Sequence, residues 1–140
     1  MSRKRHKSRE FALRALYQWQ VTGQDVGDIV SQYLASNDVR KFDVPYFQDL
    51  FRGVPTHLHE LDAHLDPLLD RGVEQVDLVE RALLRLGAYE LQHHPEIPYR
   101  VVINEAVELA KEYGAEKGHR YVNGVLDKLS ESLRSLERRA

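Results

Sequence analysis

Hydrophobic positions recur at helical spacing along nearly the whole chain, and no segment alternates with the period of two that a strand requires. Ala12, Ala15, Leu16 and Trp19 stand at i, i+3, i+4 and i+7 and predict a first helix that ends at Thr22-Gly23. Trp19 lies on that stripe, so its expected place is the core. Asp25 is placed to cap a second, shorter helix carrying Val26, Ile29, Val30, Tyr33 and Leu34, which stops at Ser36-Asn37-Asp38. After the start signal Asp43 and Pro45, the stripe Phe47, Leu50, Phe51, Val54, Leu58, Leu61, Leu65, Leu68 and Leu69 keeps phase to predict a long third helix. Pro55 interrupts it. A proline inside a helix costs about 3 kcal/mol, so the helix must kink or split there, and the unbroken phase favours a kink.

The pattern breaks at Asp70-Arg71-Gly72, which divides one 140-residue domain into halves 1–70 and 71–140. Asp77 followed by Glu80 resembles a capping box and opens a helix with Val79, Ala82, Leu83, Leu86 and Tyr89 on one face. Pro95 and Pro98 end it. A fifth helix carries Val102, Ile103, Ala106, Val107, Ala110 and Tyr113, with Gly114 expected as a left-handed C-terminal cap. The sixth carries Val122, Val125, Leu126, Leu129, Leu133 and Leu136. Each amphipathic helix needs apolar partners on more than one side, so the expected fold is all-α, two packed three-helix bundles.

Composition narrows the function. The chain has no cysteine, which removes disulfides and thiolate metal sites and points to the cytoplasm; no apolar run of about 18 residues marks a membrane span. The net charge of −2 conceals an asymmetry, because Arg3, Lys4, Arg5, Lys7 and Arg9 place five positive charges in the first nine residues and leave −7 on the remainder. A basic arm on an acidic body should dictate where a polyanion lands.

That arm, with His6 in its middle, either solubilises the chain or pairs with nucleic-acid phosphates. Tyr121 lies off the centre of its helix stripe and follows Lys117 and Arg120, a combination suited to stacking an unpaired base while holding its phosphate; packing against a neighbouring helix is the alternative. Tyr17 is similarly off its stripe, as a protein-contact anchor or an inter-half packing residue. Glu80, Arg81, Arg85, Glu90, Asn104 and Glu105 flank apolar stripes and are expected to form a partly buried ion-pair network. Among seven histidines, the densest group is His57, His59, Glu60 and His64. Only Glu60 and His64 form an i, i+4 pair, and His93-His94 reads as a dipole partner at a helix end, so no metal is expected. No nucleophile with a neighbouring base, carboxylate pair or glycine-rich phosphate loop is present, so neither enzymatic activity nor a cofactor is expected.

Several longer segments carry a family resemblance. They are Arg14 to Gln20, Asp49 to Val54, Val79 to Arg85, Ile97-Pro98-Tyr99, Ile103 to Lys111, and Tyr121 to Asp127. In order and content they resemble the NusB family of bacterial transcription antitermination factors over nearly the whole chain. The resemblance implies binding, together with the small-subunit ribosomal protein NusE, to single-stranded boxA RNA in ribosomal RNA operon leaders, within a complex of NusA, NusG and RNA polymerase. By position it implicates Arg5, His6, Lys7, Arg9 and Tyr121 in RNA contact, and Tyr17, Glu74, Gln75 and Glu80 in NusE contact.

The chain departs from the family pattern at His6, where an arginine run is common, at Lys117, where a neutral or acidic residue is frequent, and at Pro55. A related helical domain also serves some ribosomal RNA methyltransferases, but no strand-glycine-helix cofactor segment occurs in these 140 residues. A scaffold whose arm binds an acidic protein surface is the remaining alternative.

Overall fold

The computed structural model describes residues 3–139, and its described residues form helices and no strand. The order is α1 (Arg3–Thr22), α2 (Val26–Ser36), α3 (Val44–Thr56), α4 (Leu58–Leu65), α5 (Leu78–His93), α6 (Tyr99–Tyr113), α7 (Gly118–Leu133) and α8 (Ser135–Arg139). The all-α expectation holds. Short 3₁₀ turns at Asp66–Leu68 and Val73–Gln75 join α4 to α5.

Helix starts follow their capping residues. Asp25 accepts from the Asp28 amide at 3.1 Å, Asp43 from the Tyr46 amide at 3.0 Å, and Asp77 from those of Val79 and Glu80 at 3.1 and 3.4 Å. Glu80 does not complete a capping box; its carboxylate lies against Gly118, where an added Cβ would sit 2.4 Å from Oε2.

Helix α5 is the central element. Eleven of its residues are buried, and its apolar side chains join α1, α3, α6 and α7 in one cluster spanning both halves of the chain. Phe47, Leu50, Phe51, Val54, Leu61 and Leu65 enter that cluster from the long stripe read in the sequence. At Gly53 the helices α3 and α5 touch so closely that a Cβ would lie 2.3 Å from the Tyr89 ring.

Four further sequence expectations are corrected. The third helix splits instead of kinking: His57 (φ −109°, ψ 22°) leaves helical geometry and serves as the end of α3 and the start of α4, two residues after Pro55. Gly114 is extended rather than left-handed (φ −93°); the positive-φ glycine is Gly23 (φ 68°), after α1. Leu136 belongs to α8 and is 77% exposed, because the chain turns away from the core at Arg134. The basic segment is no arm, since α1 is already helical at Arg3.

Arg134 explains that turn. Its buried guanidinium donates to the carbonyls of Leu91 in the last turn of α5, of His94 at its C-cap and of Ile97 just beyond it, at 2.7, 2.8 and 2.8 Å, while pairing with Glu137 at 2.5 Å. A cation at a helix C-terminus also meets the negative end of the helix dipole.

Candidate nucleic-acid interface

The start of α1 is fixed by Arg9. Its Nε and Nη2 donate to the Glu90 carboxylate at 2.9 and 2.8 Å, Nη1 reaches Glu105 at 3.3 Å, and the Tyr46 hydroxyl donates to the same Glu90 at 2.5 Å. Arg9 and Glu90 are 2% and 3% exposed. Burial works against the arginine charge, but the hydrogen bonds and charge of Glu90 outweigh it and hold Arg9 protonated above its ordinary value. Burial, with Glu90 beside it, likewise pushes the Tyr46 hydroxyl upward, so it stays a donor. Arg9 therefore cannot turn to a phosphate without leaving Glu90 buried and uncompensated. The sequence reading placed it with the outward cations; the structure makes it the anchor beneath them.

The outward cations occupy the turns around that anchor. Arg3 and Lys4 are exposed. Arg5 is half-exposed, 3.7 Å from Asp43, with its guanidinium 4.6 Å from the centre of the Tyr46 ring. His6 Nδ1 meets Glu105 at 2.9 Å, and Lys7 meets Glu10 at 3.0 Å. The first turns of α1 thus carry positive groups in defined directions, with acidic partners holding their bases.

A second group forms where α7 begins. Lys117 and Arg120 are exposed, and Tyr121 is half-buried with its hydroxyl donating to Asp70 at 3.2 Å. The Arg71 guanidinium lies 5.5 Å from the centre of the Tyr121 ring and 3.1 Å from Asp70. In the sequence Asp70 and Arg71 mark only the boundary between halves. Their chemistry at that site was not visible, because the loop's return onto α7 is a tertiary fact.

The two groups are not adjacent. Glu90 anchors the first at the end of α5 and Glu80 abuts the second near its start, so roughly 15 Å of helix separates them at about 1.5 Å per residue. A ligand that engaged both would have to extend along the molecule.

Of the residues expected at a protein interface, Tyr17 is 42% exposed and borders a groove lined by Leu13, Arg14, Tyr33, Val79 and Tyr113. Glu10 accepts the Tyr113 hydroxyl, and burial together with that bond pushes the tyrosine up to about 12. Glu74 and Gln75 are exposed near the start of α5, whereas Glu80 is only 8% exposed. The expected ion-pair network exists in two parts. Glu90 and Glu105 take Arg9, while Arg85 is buried against Asp62 at 2.9 Å, bonds Gln20 at 2.9 Å and lies 3.6 Å from Glu74. Asn104 is exposed and outside it.

Among the described residues, one group has metal-ligand geometry: His57, Glu60 and His93. The sequence clusters His57 and Glu60 with His59 and His64, whereas in the fold the third member, His93, arrives from α5. No helix among the described residues is long and apolar enough to cross a membrane.

Comparison with known proteins adds to this geometry. The NusB family model matches residues 6–131. A transcription antitermination protein NusB from Nitrosococcus oceani is 56% identical over 140 residues, covering 100% of this chain and 94% of that one. A solved NusB from T. maritima superposes with a TM-score of 0.82 at 28% identity over 94% of both chains. A crystal structure of antitermination factors NusB and NusE in complex with double-stranded RNA matches with a TM-score of 0.80 at 29% identity, covering 94% of this chain and 99% of that one. On the strength of the family match across most of its length, the chain belongs to the NusB family, whose members are transcription antitermination proteins and not enzymes.

Proposed function

We propose that this chain, with NusE, binds single-stranded boxA RNA in ribosomal RNA operon leader transcripts and promotes processive transcription by RNA polymerase in the cytoplasm, alongside NusA and NusG. The observation that carries this reading is the set of outward cations at the start of α1, oriented by the buried Arg9–Glu90 pair. Phosphates are the natural complement of such a set, because guanidinium and ammonium groups form charge-assisted bonds to them. The relative solved with NusE and double-stranded RNA supports both partner classes.

RNA would enter at Arg3, Lys4, Arg5, His6 and Lys7 and extend toward Lys117, Arg120, Arg71 and Tyr121, whose half-buried ring, with the Arg71 guanidinium over it, can stack a base. Arg9 acts by holding the first turns in place. NusE would dock on the surface around Tyr17, Glu74, Gln75 and the edge of Glu80, away from the α1 start.

The test is fluorescence anisotropy with labelled boxA RNA, a scrambled strand and a duplex control, each titrated with this protein in the presence and absence of NusE. Tighter boxA binding that NusE strengthens is the expected result. Equal binding of all three RNAs, indifferent to NusE, would overturn the proposal.

A further inference from the structure

The group at the α3–α4 junction has no part in the RNA reading. His57 stands where α3 ends and α4 begins, Glu60 lies in the first turn of α4, and His93 is the last residue of α5. The two imidazoles lie with centroids 4.4 Å apart and planes inclined by 36°. His57 Nδ1 is 3.7 Å from a Glu60 carboxylate oxygen, and one ligand atom from each of the three residues lies within 4.8 Å of the others.

Two buried atoms here lack hydrogen-bond partners: His93 Nε2 and Gln92 Oε1. Buried polar atoms are nearly always satisfied, so each calls for a reason. The Gln92 amide nitrogen meanwhile donates to Glu60 and fixes the carboxylate beside the histidines. Tyr89 stacks on His93 with centroids 4.7 Å apart and walls the group on one side.

We propose that His57, Glu60 and His93 form a binding site for a divalent transition-metal ion, with zinc the best match, that ties the α3–α4 junction to the end of α5. Two imidazoles and a carboxylate suit zinc, whereas magnesium and calcium prefer sites made of oxygens. Zinc sits about 2.0–2.2 Å from such ligands, so the three atoms need only converge through side-chain rotation around a shared centre. Three protein ligands leave a fourth position for water. Gln92 supplies the outer-shell bond that metal-ligating carboxylates usually receive.

The 140-residue chain, free of any affinity tag and stripped with a chelator, would be titrated with zinc chloride by calorimetry, and its melting temperature followed at rising zinc. One ion per chain is expected, with a melting temperature that climbs with zinc concentration as ligand binding to the native state demands. His57→Gln and His93→Gln should each weaken binding at least tenfold, while His59→Gln and His119→Gln should leave it unchanged. Cobalt bound to the unaltered chain should show the intense visible bands of a four-coordinate site, a readout that requires no variant to fold. No zinc binding, a cobalt spectrum like that of the hydrated ion, or undiminished binding in a folded His93→Gln chain would each overturn the proposal.

Discussion

Arg9 and Glu90, 81 positions apart in the chain, meet as a two-pronged pair buried between α1 and α5. The Tyr46 hydroxyl and Glu105 close the remaining sides, so the cluster joins α1, α3, α5 and α6. Arg9→Ala is expected to lower the unfolding free energy by about 3–5 kcal/mol, because it strands a carboxylate in the interior. Urea unfolding measures this directly. A loss below about 1 kcal/mol would mean that Glu90 finds water or another partner once the arginine is gone.

The outward cations should behave in the opposite way. Arg3→Ala and Lys4→Ala should leave urea midpoints unchanged and weaken all RNAs alike. If Arg3, Lys4, Arg5 and Lys7 each neutralise one phosphate, the logarithmic salt slope for single strands should be about −3, and each substitution should reduce its magnitude by roughly 0.7. Anisotropy titrations across a salt series give both numbers. A slope near zero would remove the start of α1 from the RNA interface.

Much of the fold was legible in the chain because it rests on local chemistry. The caps Asp25, Asp43 and Asp77 and the apolar spacing of α1, α3, α5, α6 and α7 read directly from sequence. What misled was chemistry settled at a distance. Arg9 resembles its basic neighbours until Glu90 arrives from α5, and Leu136 continues a stripe that Arg134 ends by turning to the carbonyls of α5. Pro55 signalled a disturbance, but the break falls at His57, after the helix has used its last amide bond to Gly53. For the candidate site the chain offers residue types in two separate stretches; how far apart along α5 the fold sets them does not follow from the sequence.

Gly53 tests the contact between α3 and α5. A methyl group there would press into the Tyr89 ring, whose hydroxyl is held by Asp49 at 2.9 Å and so resists displacement. Gly53→Ala should therefore destabilise by about 1–3 kcal/mol despite the better helix propensity of alanine. The calorimetric melting temperature would report it, and a rise in that temperature would show that the helices separate freely.

Glu80 yields a pH-dependent expectation. Burial, reinforced by Asp77, holds its carboxyl above the ordinary value, so folding favours the protonated form and ionisation at neutral pH works against the fold. Glu80→Gln should raise the melting temperature at pH 7, with the gain shrinking on acidification and disappearing below a pH of about 4.5, the ordinary carboxyl value. A gain independent of pH would point to packing against Gly118 instead. NusE affinity measured on the same variant separates this burial from any contact Glu80 makes with the partner.

Tyr121 and Arg71 should be coupled in RNA binding. The guanidinium lies over the ring while Asp70 holds both the ring's hydroxyl and Arg71, so the face available for a base depends on where Arg71 rests. Tyr121→Ala should weaken boxA binding by about 1–3 kcal/mol through lost stacking, whereas Tyr121→Phe should retain most of the affinity because the ring survives. Arg71→Ala should weaken binding and also diminish the further effect of Tyr121→Ala, since the two residues share one contact. Measuring the two single variants and the double variant by anisotropy gives their coupling directly. If the double loss equals the sum of the single losses, Arg71 serves as an independent phosphate contact and the ring stacks without it.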